Sequence, residues 1–240
     1  KSTNATEMAK VLENSYRAMN IAFMVEWSRF AEEAGVDIYE VVNAIRLRPT
    51  HANLMYPGIG VGGYCLTKDA LLASWARQNL IGKNDPLLLS EKAININDQM
   101  PKYAFEFLQK RYPNLSDSKV LLLGVSYRGD VGDTRSSPVE NLFNYLSEVG
   151  AIVSCHDSYV EYWNEKSINI DPSLLTHLQC SPDIIIISTG HSIYKDEKTV
   201  DMILELEPIF IYDTIGHLSN KQINRLKKKH TVKVLGRGDI

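Results

Sequence analysis

The stretch PGIGVGGYCLTKDA, residues 57–70, combines a thiol with residue types that can activate it. Cys65 follows four glycines at positions 58, 60, 62 and 63, and Lys68 and Asp69 come shortly after it. Glycines let backbone amides approach a ligand closely, and a cation or a helix N-terminus makes a thiol more nucleophilic. The pattern indicates covalent catalysis at Cys65. A turn that needs glycine, followed by a buried cysteine, is the alternative that spacing alone leaves open.

A second candidate group lies near the beginning of the chain, where the apolar spacing predicts a long helix. Lys10, Asn14 and Arg17 recur at i, i+4 and i+7 and therefore share one helix face. An ammonium and an amide one turn apart can stabilise an oxyanion. An ordinary solvated helix face is the alternative.

The elements that would position these residues fall into two blocks. In the first, helical periodicity and capping residues predict helices over 4–34 (Asn4–Glu7 capping box, Gly35 stop), 37–46, 68–78, from Asp85-Pro86 past Asn97 towards Pro101, and on to Arg111. In the second, short apolar strands at 119–124, 151–157, 183–189, 209–213 and 231–235 are separated by helical stretches, one of which starts at Ser137. We therefore predict an all-α domain over residues 1–112, followed by an α/β Rossmann-like, three-layer domain with a parallel sheet over residues 113–240.

Ligands of parallel sheets bind at the carboxyl ends of the strands, so the loop GVSYRGDVGDTRSS after the first strand is a candidate binding site. Its glycines are too widely spaced for a GxGxxG turn, which favours a phosphorylated ligand over a dinucleotide pyrophosphate on a tight turn. At later strand ends, Asp157 either contacts a ribose or caps the next turn. His191 and His217 either line the cleft or are plain loop residues.

Composition excludes several classes of protein. The net charge is −3 with no basic arm, and the longest purely apolar run has five residues, so neither nucleic acid nor a membrane is an expected partner. Three cysteines form no disulfide framework and no zinc-type spacing, which predicts a reducing, cytoplasmic setting and no metal. Cys155 and Cys180 are predicted to be buried and inert.

Three segments in order, EMAKVLENSYRAMNIAFMVEW, PGIGVGGYCLTKD and LGVSYRGDVGDTRSSP, resemble the UDP-glucose/GDP-mannose dehydrogenases. The resemblance covers essentially the whole chain and implies a homodimer formed through the helical domain, followed by a domain that binds the nucleotide-sugar. The family also has an NAD-binding Rossmann domain before the helical one. We find no such unit in this sequence and expect the 240-residue chain alone not to reduce NAD⁺.

The resemblance further implies a reaction: NAD-dependent, four-electron oxidation of a sugar CH2OH to a carboxylate, through a thiohemiacetal and a thioester. In this implied mechanism Cys65 is the nucleophile. Lys10 and Asn14 stabilise the oxyanion and contact the substrate. Asp69 places or deprotonates water.

The other implied contacts divide between substrate and cofactor. Lys68 and Arg135 would reach NAD. The substrate contacts would be His51, Tyr56, Pro57, Gly58, Ile59, Gly60, Val61, Gly62, Tyr127 and Arg128, with Arg128 near the phosphates unless it forms a surface salt bridge. His51, with Arg48 nearby, stands where many members have an arginine supplied by the neighbouring subunit. Near Ile215 an arginine found in some UDP-glucose enzymes is missing.

The form PGIGVGG resembles the branch of the family that oxidises UDP-N-acetylhexosamines, and the missing arginine weakens the assignment of UDP-glucose. A UDP-N-acetylhexosamine is therefore the expected substrate, with UDP-glucose as the alternative because CLTKD resembles the UDP-glucose branch. Two other functions remain possible at this point. One is a non-enzymatic module for nucleotide-sugar binding or dimerisation. The other, a thiol-dependent acyl transferase, needs a histidine base beside Cys65, which no loop of the sequence indicates.

Overall fold

The structure is a computed structural model that describes residues 2–240. Within residues 2–112 all regular elements are helical: α1 Thr3–Ala34, α2 Ile38–Arg46, a 3₁₀ turn Pro49–His51, α3 Asp69–Asn79, α4 Leu88–Asp98 and α5 Met100–Arg111. Within residues 2–112, one isolated antiparallel β-bridge reaches a later segment: it pairs Asp37 with Arg237. The predicted boundary at residues 112/113 stays a prediction, and so does the role of the helical part in dimerisation.

Local capping explains the junction between α1 and α2. Gly35 ends α1 with φ 70°, in the left-handed region that glycine adopts readily, and Asp37 caps α2 by accepting the Tyr39 N–H at 2.8 Å. At the start of α1 the prediction was wrong, because Ser2 rather than Asn4 is the cap.

The predicted start of α4 was also wrong. Asp85 does not cap this helix, because its carboxylate forms an ion pair with Arg77. The helix begins instead at Leu88, and the preceding Leu87 N–H is accepted by the Ser74 hydroxyl at 3.0 Å.

After α5 the chain forms a five-stranded parallel sheet in the order β2-β1-β5-β6-β7. The strands are β1 Lys119–Leu123, β2 Ile152–His156, β5 Ile184–Ile187, β6 Phe210–Asp213 and β7 Thr231–Val234, and the helices are α6 Pro138–Glu148, α7 Leu174–Gln179, α8 Glu197–Leu204 and α9 Asn220–Leu226. The predicted parallel sheet with flanking helices is thus confirmed. A small antiparallel hairpin, β3 Tyr162–Trp163 with β4 Ile168–Asn169, was not predicted.

Alternate residues of the strands face two separate apolar layers. Leu122 and Ile186 pack with α5 and α6 on one face, whereas Leu121 and Ile185 pack with α7, α8 and α9 on the other. The first layer also takes in Val25 of α1. The helical part and the sheet therefore share a core.

The last residues of the chain join that sheet to the helices by backbone hydrogen bonds. The Ile38 N–H donates to the Gly236 carbonyl at 3.1 Å, and the Gly238 N–H donates to the Val36 carbonyl at 3.0 Å. Nearby, Arg237 Nε lies 3.0 Å from the Asp37 carboxylate, and both side chains are largely buried. This C-terminal seam, residues 235–238, holds the end of α1 and the start of α2 against the edge of the sheet.

None of the helices within the described residues 2–240 combines the length with the apolar character that crossing a bilayer requires.

Candidate active site

Cys65 lies in the turn that leads into α3, and its side chain is exposed. Its carbonyl accepts the Lys68 N–H at 3.2 Å and the Asp69 N–H at 2.9 Å, which closes the first turn of the helix. The thiol is therefore held close to a helix N-terminus, where the helix dipole favours an anion. The predicted alternative of a buried cysteine in this loop was wrong.

A hydrogen-bonded network joins α1 to this turn. The buried Asn14 amide donates to Asp69 Oδ2 at 2.7 Å, and Lys68 Nζ donates to Asp69 Oδ1 at 3.1 Å. At its exposed end Lys10 Nζ lies 3.4 Å from Asn14 Oδ1. The candidate residues Lys10, Asn14, Lys68 and Asp69 are thus linked to one another, and Asp69 follows the thiol-bearing Cys65 by four residues.

The network keeps Asp69 ionised. Burial by itself would raise the pKa of Asp69, but the hydrogen bonds from Asn14 and Lys68 and the charges of Lys68 and Lys10 outweigh it and hold the pKa below its usual value. A carboxylate with a lowered pKa is a weak base. It is better suited to orient neighbours and water than to remove a proton.

Two cations flank the thiol. The pKa of Lys68 is raised, mainly by its hydrogen bond to Asp69, and that of Arg135 mainly by its hydrogen bonds to Asp133, with the charge of Cys65 contributing to both. The Arg135 carbonyl also accepts the Gly63 N–H at 3.1 Å, which joins the glycine loop to the loop after β1. Both side chains are partly exposed, and the contact with NAD that the resemblance implies for them stays a prediction.

The glycine loop packs directly on the loop after β1. A Cβ on Gly62 would lie 2.4 Å from Tyr127 Cβ, and one on Gly63 would lie 2.9 Å from the Tyr127 ring. Gly60, with φ 141°, similarly approaches Pro138. At these positions the bare backbone is required by contact with the protein itself, a purpose that sequence reasoning did not foresee.

The other predicted substrate residues have varied surroundings. Tyr127 is half-buried and Arg128 is exposed, both in the loop after β1, whereas the Ile59 side chain is buried in the core and leaves only its backbone for a ligand. Val61 is half-buried. His51 is exposed in its 3₁₀ turn, where Nδ1 lies 2.9 Å from the Thr50 hydroxyl. Among the described residues, no hydrogen bond or ion pair joins its side chain to the residues around Cys65.

A cavity of about 370 Å³ lies between α2 and the carboxyl ends of β6 and β7. Tyr56 is one of its walls: its ring stacks on Tyr39 at 5.8 Å and its hydroxyl donates to Asn43 Oδ1 at 2.5 Å. Ile215 lines the cavity and also lies 3.7 Å from the position of a Cβ on Gly58. Pro57 is buried beside the C-terminal seam. Sequence analysis did not identify Tyr39 and Asn43 as cavity residues, because both belong to an ordinary helix, α2, and to no recognisable motif.

The remaining cysteines differ from one another. Burial raises the pKa of Cys155 to about 12, in agreement with the prediction that it is buried and inert. Cys180 is exposed, so its predicted burial was wrong. It caps the C-terminus of α7, and its thiol donates to the Thr176 carbonyl at 3.4 Å instead of facing the core.

The polar residues at the other strand ends point inward. Asp157 and His191 are fully buried and joined to each other, and Asp157 also accepts the Tyr159 N–H at 2.9 Å, the capping role that was one alternative. This burial leaves no face of Asp157 for a ribose. His217 is half-buried and donates from Nε2 to the His191 carbonyl at 2.9 Å.

Comparison with protein families matches both parts of the chain. Residues 4–99 match the central domain of the UDP-glucose/GDP-mannose dehydrogenase family, and residues 121–220 match the UDP-binding domain of that family. The chain belongs to the UDP-glucose/GDP-mannose dehydrogenase family. The network around Cys65 lies within the first match, and Tyr127, Arg128 and Arg135 lie within the second.

Relatives in this family carry specific names. A UDP-N-acetyl-D-mannosamine dehydrogenase of Methanococcus maripaludis is 30% identical over 98% of this chain and 53% of its own length. One from Methanocaldococcus jannaschii is 32% identical over 97% of this chain and 51% of its own length. The chain thus spans about half the length of the relatives it matches.

Solved structures of family members have the same fold. The NDP-N-acetyl-D-galactosaminuronic acid dehydrogenase of Methanosarcina mazei superposes with a TM-score of 0.85 at 26% identity, over 99% of this chain and 52% of its own. The UDP-D-ManNAc dehydrogenase of Pyrococcus horikoshii gives 0.76 at 29% identity, over 97% and 52%.

Proposed function

We propose that this chain supplies the thiol and the nucleotide-sugar site of an NAD-dependent dehydrogenase that oxidises the C6 hydroxymethyl group of a UDP-sugar to a carboxylate. The observation that carries the proposal is an exposed Cys65 at the start of α3, beside the linked side chains of Lys10, Asn14, Lys68 and Asp69. Membership of the dehydrogenase family supports the same reaction class.

The residues of the chain act on the half-oxidised sugar. The Cys65 thiolate attacks the aldehyde carbon: a C–S bond forms, the C=O π bond breaks, and the oxygen becomes an oxyanion. Asn14 uses one amide N–H for Asp69 and keeps a second for this oxyanion, and Lys10 supplies positive charge beside it. After the second oxidation the carbon is a thioester. Water attacks it, the C–S bond breaks and the thiolate leaves.

Asp69 contributes by placing groups. Its two oxygens hold Asn14 and Lys68, and the lone pairs that remain can accept a hydrogen bond from the attacking water. Because the pKa of Asp69 is lowered, we propose that Asp69 orients this water and that the released proton passes to solvent.

When bound, two NAD⁺ molecules in succession would each accept one of the two hydrides that the oxidation releases. Lys68 and Arg135 would hold each of them by its phosphates, because both cations are partly exposed beside the thiol. Each is paired with a neighbouring carboxylate, Asp69 or Asp133, so phosphate contact would compete with these pairs. The expectation that the 240-residue chain alone does not reduce NAD⁺ stays a prediction.

For the substrate we propose a UDP-N-acetylhexosamine. The names of the relatives and the PGIGVGG loop support this choice, and UDP-glucose is the alternative. Arg128 would contact the diphosphate and Tyr127 the sugar, while the cavity beside Tyr56 would receive the nucleoside end, because aromatic and amide groups line it at the carboxyl end of the sheet.

Alkylation of the thiols tests the proposal on the chain itself. We expect UDP-N-acetylmannosamine or UDP-N-acetylglucosamine to slow the reaction of iodoacetamide with Cys65, because the bound sugar covers its sulfur. Peptide mass spectrometry at increasing concentrations of UDP-sugar measures the rate at each cysteine separately.

The chain contains its own control for this experiment. Cys180 is also exposed and lies at the C-terminal end of α7, away from the loops of the site, so its alkylation rate should stay constant. Slowing at both cysteines, or at neither, would contradict the proposed site.

We further propose a homodimer through α1. Along one side of this helix large apolar side chains are exposed: Met8, Leu12, Tyr16, Phe23, Trp27 and Phe30. An apolar stripe of this length on a water-soluble surface indicates a protein partner, and the same stripe on a second copy is complementary to it in polarity.

Trp27→Glu tests the dimer. We expect sedimentation equilibrium to give twice the chain mass of 27.1 kDa for the unchanged protein and the single mass for the variant, because a charge cannot be buried in the stripe. Tyr162→Glu, an exposed aromatic on the β3–β4 hairpin, is the matched control and should remain dimeric. A monomeric unchanged protein would refute the proposal.

A further inference from the structure

Two buried titratable side chains take no part in the reaction outlined above. Asp157, just after β2, and His191, after β5, have no solvent exposure, and His191 Nε2 lies 3.0 Å from Asp157 Oδ2. Placing two such groups in the interior is costly unless they are hydrogen-bonded. Their remaining partners therefore show what the pair does for the fold.

Asp157 binds the beginning of the loop after β1. Its Oδ2 accepts the Val125 N–H at 2.9 Å, and from Ser126 both the N–H at 3.2 Å and the hydroxyl at 3.1 Å. Burial by itself would raise the pKa of Asp157, but the hydrogen bonds from His191 and from these backbone groups hold it below its usual value. The carboxylate is thus an ionised acceptor.

His191 binds the same loop five residues further on. Its Nδ1 accepts the Asp130 N–H at 2.9 Å, so the proton of the neutral ring is on Nε2, which donates to Asp157. Asp130 has a φ of 58°, an unusual backbone angle outside glycine. Its carboxylate accepts the Ser192 N–H and hydroxyl at 2.8 and 2.7 Å, which further fixes this point.

The segment between the two anchors contains Tyr127 and Arg128. Beside them, Gly129 approaches the Gly190 backbone so closely that a Cβ would lie 2.2 Å from the carbonyl oxygen of Gly190. The segment is held at both ends and pressed against its neighbour. Of its side chains, that of Arg128 is exposed, and that of Tyr127 is half-buried against the glycine loop.

We propose that Asp157 and His191 are positioning residues for nucleotide-sugar binding: they hold the backbone of residues 125–130 so that Arg128 and Tyr127 face the diphosphate and the sugar. This inference rests on the proposed function. The site lies where the strand order reverses between β1 and β5, the crevice in which open α/β sheets bind ligands. Preorganised groups bind more tightly because less ordering is needed on binding.

His191→Gln tests the inference with UDP as the probe in isothermal titration calorimetry. The glutamine amide can still donate to Asp157 but cannot reach back to the Asp130 N–H. We expect the Kd for UDP to rise about tenfold, the factor that corresponds to a loss of about 1.4 kcal/mol. His191→Asn, whose side-chain oxygen lies close to the place of Nδ1, should restore part of this affinity.

His230→Gln is the matched control for a merely structural effect. His230 is also buried in the α/β part, but its Nδ1 accepts the Ile209 N–H at 3.2 Å, at the amino ends of β6 and β7 and thus at the opposite end of the sheet from residues 125–130. We expect this control to lower the melting temperature as much as His191→Gln does. Its Kd for UDP should stay within about twofold of the original, well below the tenfold rise expected for His191→Gln.

The outcomes separate the inference from the proposed function. If the unchanged chain does not bind UDP, both are overturned. If it binds UDP and a folded His191→Gln variant binds equally well, only the inference is overturned. Should that variant fail to fold, amide hydrogen exchange of the unchanged chain decides. The Val125 and Asp130 amides must exchange slowly, and exchange as fast as in an exposed loop refutes the positioning role of Asp157 and His191.

Discussion

Cys65→Ser is expected to lower the rate of sugar carboxylate formation by on the order of 10³-fold or more, as the loss of a covalent nucleophile does in other enzymes. A serine hydroxyl at this position has no base in the network to activate it, because Asp69 is already engaged by Asn14 and Lys68 and has a lowered pKa. The aldehyde would then leave the site before its second oxidation. The measurement is the yield of NADH and of sugar carboxylate in the dehydrogenase that contains this chain.

Two serine variants serve as controls. Cys180→Ser changes a second exposed thiol and should keep full activity, and Cys155→Ser changes a buried one and should keep the activity per folded molecule. Equal losses from Cys65→Ser and Cys180→Ser would remove the assignment of Cys65 as nucleophile. Aldehyde accumulation with Cys65→Ser would support it further.

Gly62→Ala is expected to destabilise the chain by about 1–3 kcal/mol, the usual range for overpacking a filled interior. The added methyl carbon would lie 2.4 Å from Tyr127 Cβ and 2.8 Å from the Ser136 carbonyl oxygen, and neither neighbour is the end of a flexible side chain. Urea unfolding followed by circular dichroism measures the change. Because Tyr127 must also move, affinity for UDP-sugar should fall together with stability.

Gly58→Ala is the matched control in the same loop. Its Cβ would meet Ile215 Cγ2 at 3.7 Å, an ordinary contact, and the Gly58 backbone has no positive φ that a side chain would strain. Such a substitution typically leaves stability unchanged or raises it by about 0.4–1 kcal/mol. An unfolding midpoint for Gly62→Ala equal to that of Gly58→Ala would show that the glycine loop does not pack on Tyr127 as described.

How far the sequence predicts this structure depends on how local each signal is. Gly35, Asp37 and Ser137 end or begin helices as expected, because a cap involves only its own turn. Asp85 looks like an equally good cap, but a charge eight residues away takes its carboxylate. The β3–β4 hairpin escapes detection since its strands have two residues each, too few for a periodic pattern.

In the candidate site too, local groupings can be predicted from the sequence and long-range contacts cannot. Cys65, Lys68 and Asp69 can be grouped from their spacing, and Lys10 with Asn14 from theirs. The contact between Asn14 and Asp69 spans 55 residues, however, and only family resemblance relates the two segments before the structure does. The sequence places Asp157 and His191 at strand ends, but their inward direction depends on the loop after β1, which lies far away in sequence.

The C-terminal seam has a consequence for how a substrate enters. Residues 235–238 bind the junction of α1 and α2 through main-chain groups and a largely buried Arg237–Asp37 pair, and Val25 shares one apolar layer with the sheet. A hinge between thiol-bearing helices and strand ends would have to break all of these at once. The crevice is therefore preformed, and the proposed sugar nucleotide would enter it without a hinge motion between the two parts.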